Sequence, residues 1–153
     1  MDGVTSITNA QFYEKLSRVI PEVGSMLWDS IGQRPFIHSV LFVHRVVGLI
    51  PGLYALVRDP EKLSLLQTSM HAEFWWKTPL ECPQSLLLFL LEEKEVQNLA
   101  ASVSCGQDIA GAGAFSCGML AEFEEPIRRF GPHWYRRLIL GNWNDWAGFI
   151  FGS

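Results

Sequence analysis

Positive charge is scarce in this chain. Lys and Arg together number 12 against 16 Asp and Glu, a net charge of −4. A nucleic-acid binder holds phosphates with clustered Lys and Arg. No such cluster is present, so no nucleic-acid partner is expected. Long apolar runs are also missing. The densest stretches are broken by His38, His44 and Arg45, or are as short as Leu86 to Leu91. A membrane-spanning helix needs roughly 18 to 20 apolar residues, so no membrane role is expected. The opening Met1-Asp2-Gly3-Val4-Thr5 has neither a positive nor an apolar region, which predicts no secretory signal. Cysteine is sparse: Cys82, Cys105 and Cys117 form no CxxC pair and leave one over. They are expected to be reduced core thiols of a cytoplasmic protein, not a disulfide frame or a metal site.

Complete catalytic motifs are missing too. His71-Ala72-Glu73 resembles half of a zinc-deaminase site, but the Pro-Cys-x-x-Cys half has no counterpart, since Cys82 precedes Pro83 and position 85 is Ser. The four histidines show no close ligand spacing and are expected on the surface or on strand faces. Gly111-x-Gly113 lacks the third glycine of a dinucleotide fingerprint and suits a loop before a strand. There is no GxSxG elbow, and no cysteine stands beside a visible activating base. The pairs Glu92-Glu93, Glu124-Glu125 and Arg128-Arg129 are expected to solvate helix and strand ends.

What is present is apolar bulk: 48% hydrophobic and 18% charged residues over 153 positions. That is too apolar for disorder. A chain of this size can bury about 69% of its extended surface in one core. The low charge leaves apolar surface for a partner.

Local signals are clear along much of the chain. Thr8 followed by Gln11 is a capping box, and Phe12, Leu16, Val19 and Ile20 continue it at helical spacing up to Pro21. Residues 21 to 35, rich in Pro, Gly and Ser, predict a loop. Phe36 to Val47 is apolar on both faces and predicts a covered strand. Pro51-Gly52 suits a type II turn, so residues 37 to 57 predict a β-hairpin. Asp59-Pro60-Glu61 predicts a helix start, with Leu63, Leu66 and Met70 as its buried stripe. Phe74 to Pro79 reads as an aromatic loop or short strand, and Ser85 to Leu91 as a core strand. Glu95 to Val103 predicts a helix buried through Val96, Leu99, Ala100 and Val103. Ala114 to Phe123 predicts a strand, and Pro126 onward a helix interrupted at Gly131-Pro132. This order predicts an α+β fold with helices packed on a sheet.

Three stretches carry a family resemblance. They are Met1 to Ile7; Leu41-Phe42-Val43-His44-Arg45-Val46-Val47-Gly48-Leu49-Ile50-Pro51-Gly52-Leu53-Tyr54; and Ser104-Cys105-Gly106-Gln107-Asp108-Ile109-Ala110-Gly111, running on to Ala121. Tyr135-Arg136-Arg137-Leu138 adds a fourth. Together they resemble the nitroreductase-like flavoenzymes of the SagB type, which include azoline dehydrogenases. The resemblance implies a central antiparallel sheet flanked by helices, an intertwined homodimer or a pairing with a homologous domain, and FMN at the interface. It implies electron or hydride transfer through the flavin, on a small-molecule or peptide substrate. The family's flavin loop corresponds to Ser30-Ile31-Gly32-Gln33-Arg34-Pro35. By that resemblance Gly32, Gln33 and Arg34 are the cofactor-binding residues. Gln33 would bond the isoalloxazine edge, and Arg34 would place positive charge near the flavin or its phosphate. The plainer reading of these residues is a solvated loop. Gln107 would face the cofactor or simply end a helix. Arg18 is the first arginine available to a phosphate.

The same comparison implies a nitroreductase-like domain over residues 1–140, truncated at both ends, and a divergent tail over 141–153. The alternative function is then a non-catalytic pseudo-domain that only pairs with another chain. A third possibility is a ligand-binding module using Trp75, Trp76 and Trp143.

Overall fold

The computed structural model describes residues 5–20 and 37–136. Helix α1 (Asn9–Ser17) starts at the predicted capping box. Thr8 Oγ1 accepts from the Gln11 amide at 3.2 Å, and Gln11 Oε1 accepts from the Thr8 amide at 3.1 Å. Two otherwise orphaned amides are thereby satisfied. The helix closes at Ser17, ahead of Pro21.

Strands β2 (Ile37–Val43), β4 (Gly52–Val57), β5 (Leu87–Glu93) and β6 (Phe115–Ala121) form one sheet in the order β5-β4-β2-β6. All its pairings are antiparallel. The predicted hairpin is present: β2 and β4 pair from Ser39 opposite Leu56 to Val43 opposite Gly52. Its turn differs from expectation. Val46 O accepts from the Leu49 amide, and Gly48, at φ +90°, takes the position that needs a left-handed residue. Gly52 instead begins β4, where a Cβ would stand 2.3 Å from the Glu92 carbonyl; it is small because β5 runs so close. Inside the hairpin loop, β3 (Val46–Val47) pairs in parallel with β1 (Ile7–Thr8). This ties the start of α1 to the sheet.

The aromatic stretch Phe74 to Pro79 covers the outer edge of β5. The Trp75 amide donates to Leu91 O, and Lys77 exchanges two hydrogen bonds with Leu90 at 3.1 and 2.7 Å. Trp76 lies 5.7 Å from the ring of Phe89, and the Lys77 ammonium sits 4.4 Å over Trp75.

The sheet has two unlike faces. On the first, Phe12, Leu16 and Val19 meet Leu41, Val43, Tyr54, Leu56 and Leu88, with Phe115 and Cys117 packed alongside. On the second, Phe42, Val40 and Leu53 meet Val96 and Ala100 of the segment leading into α3 (Gln97–Val103), and Ala110 of the one-turn helix α4 (Ile109–Ala112). Half of the predicted α3 stripe is buried; Leu99 and Val103 face outward. Helix α2 (Leu63–Ser69) follows a 3-10 turn, Pro60–Lys62, whose predicted Asp59 cap accepts from the Glu61 amide. Its stripe of Leu63, Leu66 and Met70 is half-buried, not buried. Helix α5 (Glu124–Phe130) ends at Gly131, φ +85°, and Trp134 packs on Ile37 and Ala121. The architecture is α+β, and its main elements follow the predicted order; β1 and the one-turn helix α4, which takes in Gly111 where a loop was expected, are additional. No helix among the described residues is long and apolar enough to cross a membrane.

Candidate functional site

Gly32, Gln33 and Arg34 lie outside the described residues, as does Trp143. The described chemistry concentrates in two buried polar joints, each built around a histidine in or next to β2.

The first joint fixes the end of β2. His44 is buried, and its Nε2 donates to Ala110 O at 3.1 Å. The next residue, Arg45, donates through Nη2 to Ala112 O at 2.6 Å and through Nε to Thr5 O at 3.4 Å. The His44 and Arg45 amides both donate to Ala114 O. Gly111 makes this approach possible, since a Cβ there would stand 2.9 Å from Gln97 O. The imidazole pKa is lowered by burial, against the pull of the Ala110 carbonyl, which raises it; the Arg45 charge lowers it further. A neutral ring donating from Nε2 has its lone pair on Nδ1, and that atom is buried without a partner among the described residues.

The second joint lies where β2 starts, β4 leaves and β6 ends. His38 Nδ1 accepts from the Arg58 amide at 3.1 Å. The Arg58 guanidinium is buried and donates to Val19 O at 2.8 Å and to Ile37 O at 3.4 Å. Glu122 accepts from Lys62 at 2.9 Å and presents its other oxygen 3.9 Å from His38 Nε2. Asp59 is buried beside them. His38 therefore sits on a strand but is buried, and His44 is buried in the bend just past the end of β2, whereas His71 and His133 are exposed as expected. Burial of the first two was signalled by their neighbours, because a histidine within or just after a strand apolar on both faces has no solvent side to turn to.

An open groove of about 440 Å³ lies between α1 and the segment around Glu81, lined by Asn9, Tyr13, Glu14, Ser17 and Glu81 among others. Its polar groups are already engaged: Tyr13 donates to Leu80 O, Asn9 to Glu81, and Glu14 pairs with Arg18 at 2.8 Å.

No family model, no curated protein and no solved structure matches this chain.

The described residues do not by themselves fit an FMN phosphate. A partly buried dianion needs charge-assisted donors. Arg58, the buried cation among the described residues, faces backbone carbonyls. Arg45 does the same, and Arg18 pairs with Glu14 on an exposed helix face. Gln107 is exposed in the turn between α3 and α4, and Trp75 is largely exposed. No group of three His, Cys, Asp or Glu among the described residues could hold a metal ion. Of the three thiols, Cys82 and Cys117 adjoin the core but Cys105 is exposed. It stands in a left-handed turn, φ +58°, beyond the end of α3.

Proposed function

We propose that this chain is a nitroreductase-like, SagB-type flavoenzyme domain: a cytoplasmic oxidoreductase domain that uses FMN and pairs with a second copy or a homologous domain. Its substrate would be a small molecule or a peptide. The observation that supports this best is the His44 joint. The two most specific stretches of the resemblance, around His44-Arg45 and around Gln107 to Ala114, lie far apart in sequence. They are joined by hydrogen bonds from His44 and Arg45 to Ala110, Ala112 and Ala114. A shared fold requires such motifs to meet. Because the described residues offer no phosphate cradle, flavin contact falls to Gly32, Gln33 and Arg34 and to residues of a paired chain.

Titration of the purified chain with FMN tests this reading. Flavin fluorescence should be quenched, and Arg34→Ala should weaken binding about tenfold, the scale of one charge-assisted contact. Full-length protein that leaves excess FMN unquenched and unretained on gel filtration would remove the enzyme assignment.

A non-catalytic pairing domain is the second reading. It is favoured by the apolar side chains Leu99, Val103 and Ile109, which are 38%, 60% and 58% exposed. Sedimentation velocity distinguishes it: a dimer without flavin supports pairing alone, and a stable monomer argues against it.

A further inference from the structure

One imidazole lone pair fixes the backbone of the Arg58–Lys62 corner, beside the side-chain bonds of Arg58 and Lys62. His38, 2% exposed, accepts the Arg58 amide at Nδ1, so its neutral ring carries the proton on Nε2. Immediately downstream, Asp59 Oδ1 accepts from the Glu61 amide at 3.0 Å and Asp59 O from the Lys62 amide at 3.0 Å. Lys62 then reaches Glu122 beyond β6. The end of β4, the cap and the 3-10 turn are thus held to the first residues of β2 through the imidazole and through the Arg58 guanidinium, which donates to Ile37 O at 3.4 Å.

We propose that His38 is an acid-loosened latch: the neutral imidazole fixes the backbone of the Arg58–Lys62 corner to the sheet, and the imidazolium gives up that bond and loosens the corner. Protonation can only occur at Nδ1. It would replace the acceptor facing the Arg58 amide with a second N–H, so a bond is lost and two donors are opposed. The groups facing the ring pull in both directions. Glu122 and Asp59 favour the charged form, while Arg58 and Lys62 oppose it. Burial is the largest influence and lowers the His38 pKa below its ordinary 6.5, against the pull of Glu122, whose Oε1 lies 3.9 Å away and whose other oxygen is bonded to Lys62 at 2.9 Å. The sign follows: with the folded value depressed, the corner is fully held above about pH 6.5 and loosens as the pH falls below it. The latch does not depend on the flavin reading.

Amide hydrogen exchange on the full chain between pH 7.5 and 5 tests it. Protection of the Arg58, Glu61 and Lys62 amides should fall by up to about tenfold per pH unit below about 6.5, as one excluded proton requires. The Leu41 and Leu56 amides at the centre of the sheet should keep theirs. In His38→Asn, whose amide oxygen can replace Nδ1 as acceptor without titrating, the pH dependence at the corner should vanish. Protection that holds down to pH 5, a loss shared equally by Leu41 and Leu56, or an unchanged slope in His38→Asn would each overturn the latch. Should His38→Asn not fold, imidazole NMR titration of the wild-type chain decides. A His38 that gains its proton while the Arg58 amide stays protected would overturn it as well.

Discussion

One sheet carries two differently made faces. The first is closed by a nine-residue helix with both halves of a capping box, and its contacts are almost wholly apolar: Phe12 and Leu16 are completely buried against Leu41, Leu56 and Leu88. The second is closed by helices of seven and four residues with no side-chain cap, and the buried His44 bonds to it. The difference shows that burial and robustness are separate properties. Val96 and Ala100 are as buried as Phe12, yet the layer they belong to relies on a neutral imidazole and on one glycine contact. The first face should tolerate acid, and the second should yield to it.

Substitutions can break this contrast or sharpen it. Phe12→Ala removes a ring that packs edge-on to Phe115 at 4.9 Å; it should cost about 3–5 kcal/mol in urea unfolding, the largest loss on either face. Gly111→Ala attacks the second face, where the added methyl would meet Gln97 O at 2.9 Å. It should cost about 1–3 kcal/mol, although Ala ordinarily favours a helix over Gly. A gain in melting temperature would show that α4 can back away. Thr8→Ala deletes half the capping box and should cost about 1 kcal/mol, with the loss of helicity confined to α1 in NMR chemical shifts. Val103→Ser changes an exposed position of α3 and should stay within about 0.5 kcal/mol. A larger loss would mean that this side of α3 is covered in solution, and sedimentation of the same variant would then show a smaller species.

Elements with a local cause were legible in the sequence. The capping box at Thr8, the Asp59-Pro60 start and the apolar runs of β2 and β5 each follow from neighbouring residues. Long-range placement was not. Nothing near Leu99 and Val103 says that they stay exposed while Val96 and Ala100 are buried. Pro51-Gly52 competes with Gly48 for the turn, and the choice is settled by how closely Gly52 must approach Glu92. The joints were less legible still. His38 and His44 stand in and just after an apolar strand whose neighbours announce burial, but their partners Arg58, Glu122 and Ala110 come from segments that sequence order keeps apart. The residues first nominated for cofactor contact, Gly32, Gln33 and Arg34, lie outside the described residues, and their role depends on the flavin titration.

The three thiols form a graded set of chemical reporters. Burial pushes Cys117 to about 12 and raises Cys82 as well, and only a thiolate attacks an alkylating reagent quickly. Cys105, exposed in its turn, is therefore the first to be tagged by a maleimide near neutral pH. Cys117, packed against the first layer and only partly exposed, takes a label much more slowly. Counting labels per chain over time would read out this gradation without any engineered probe.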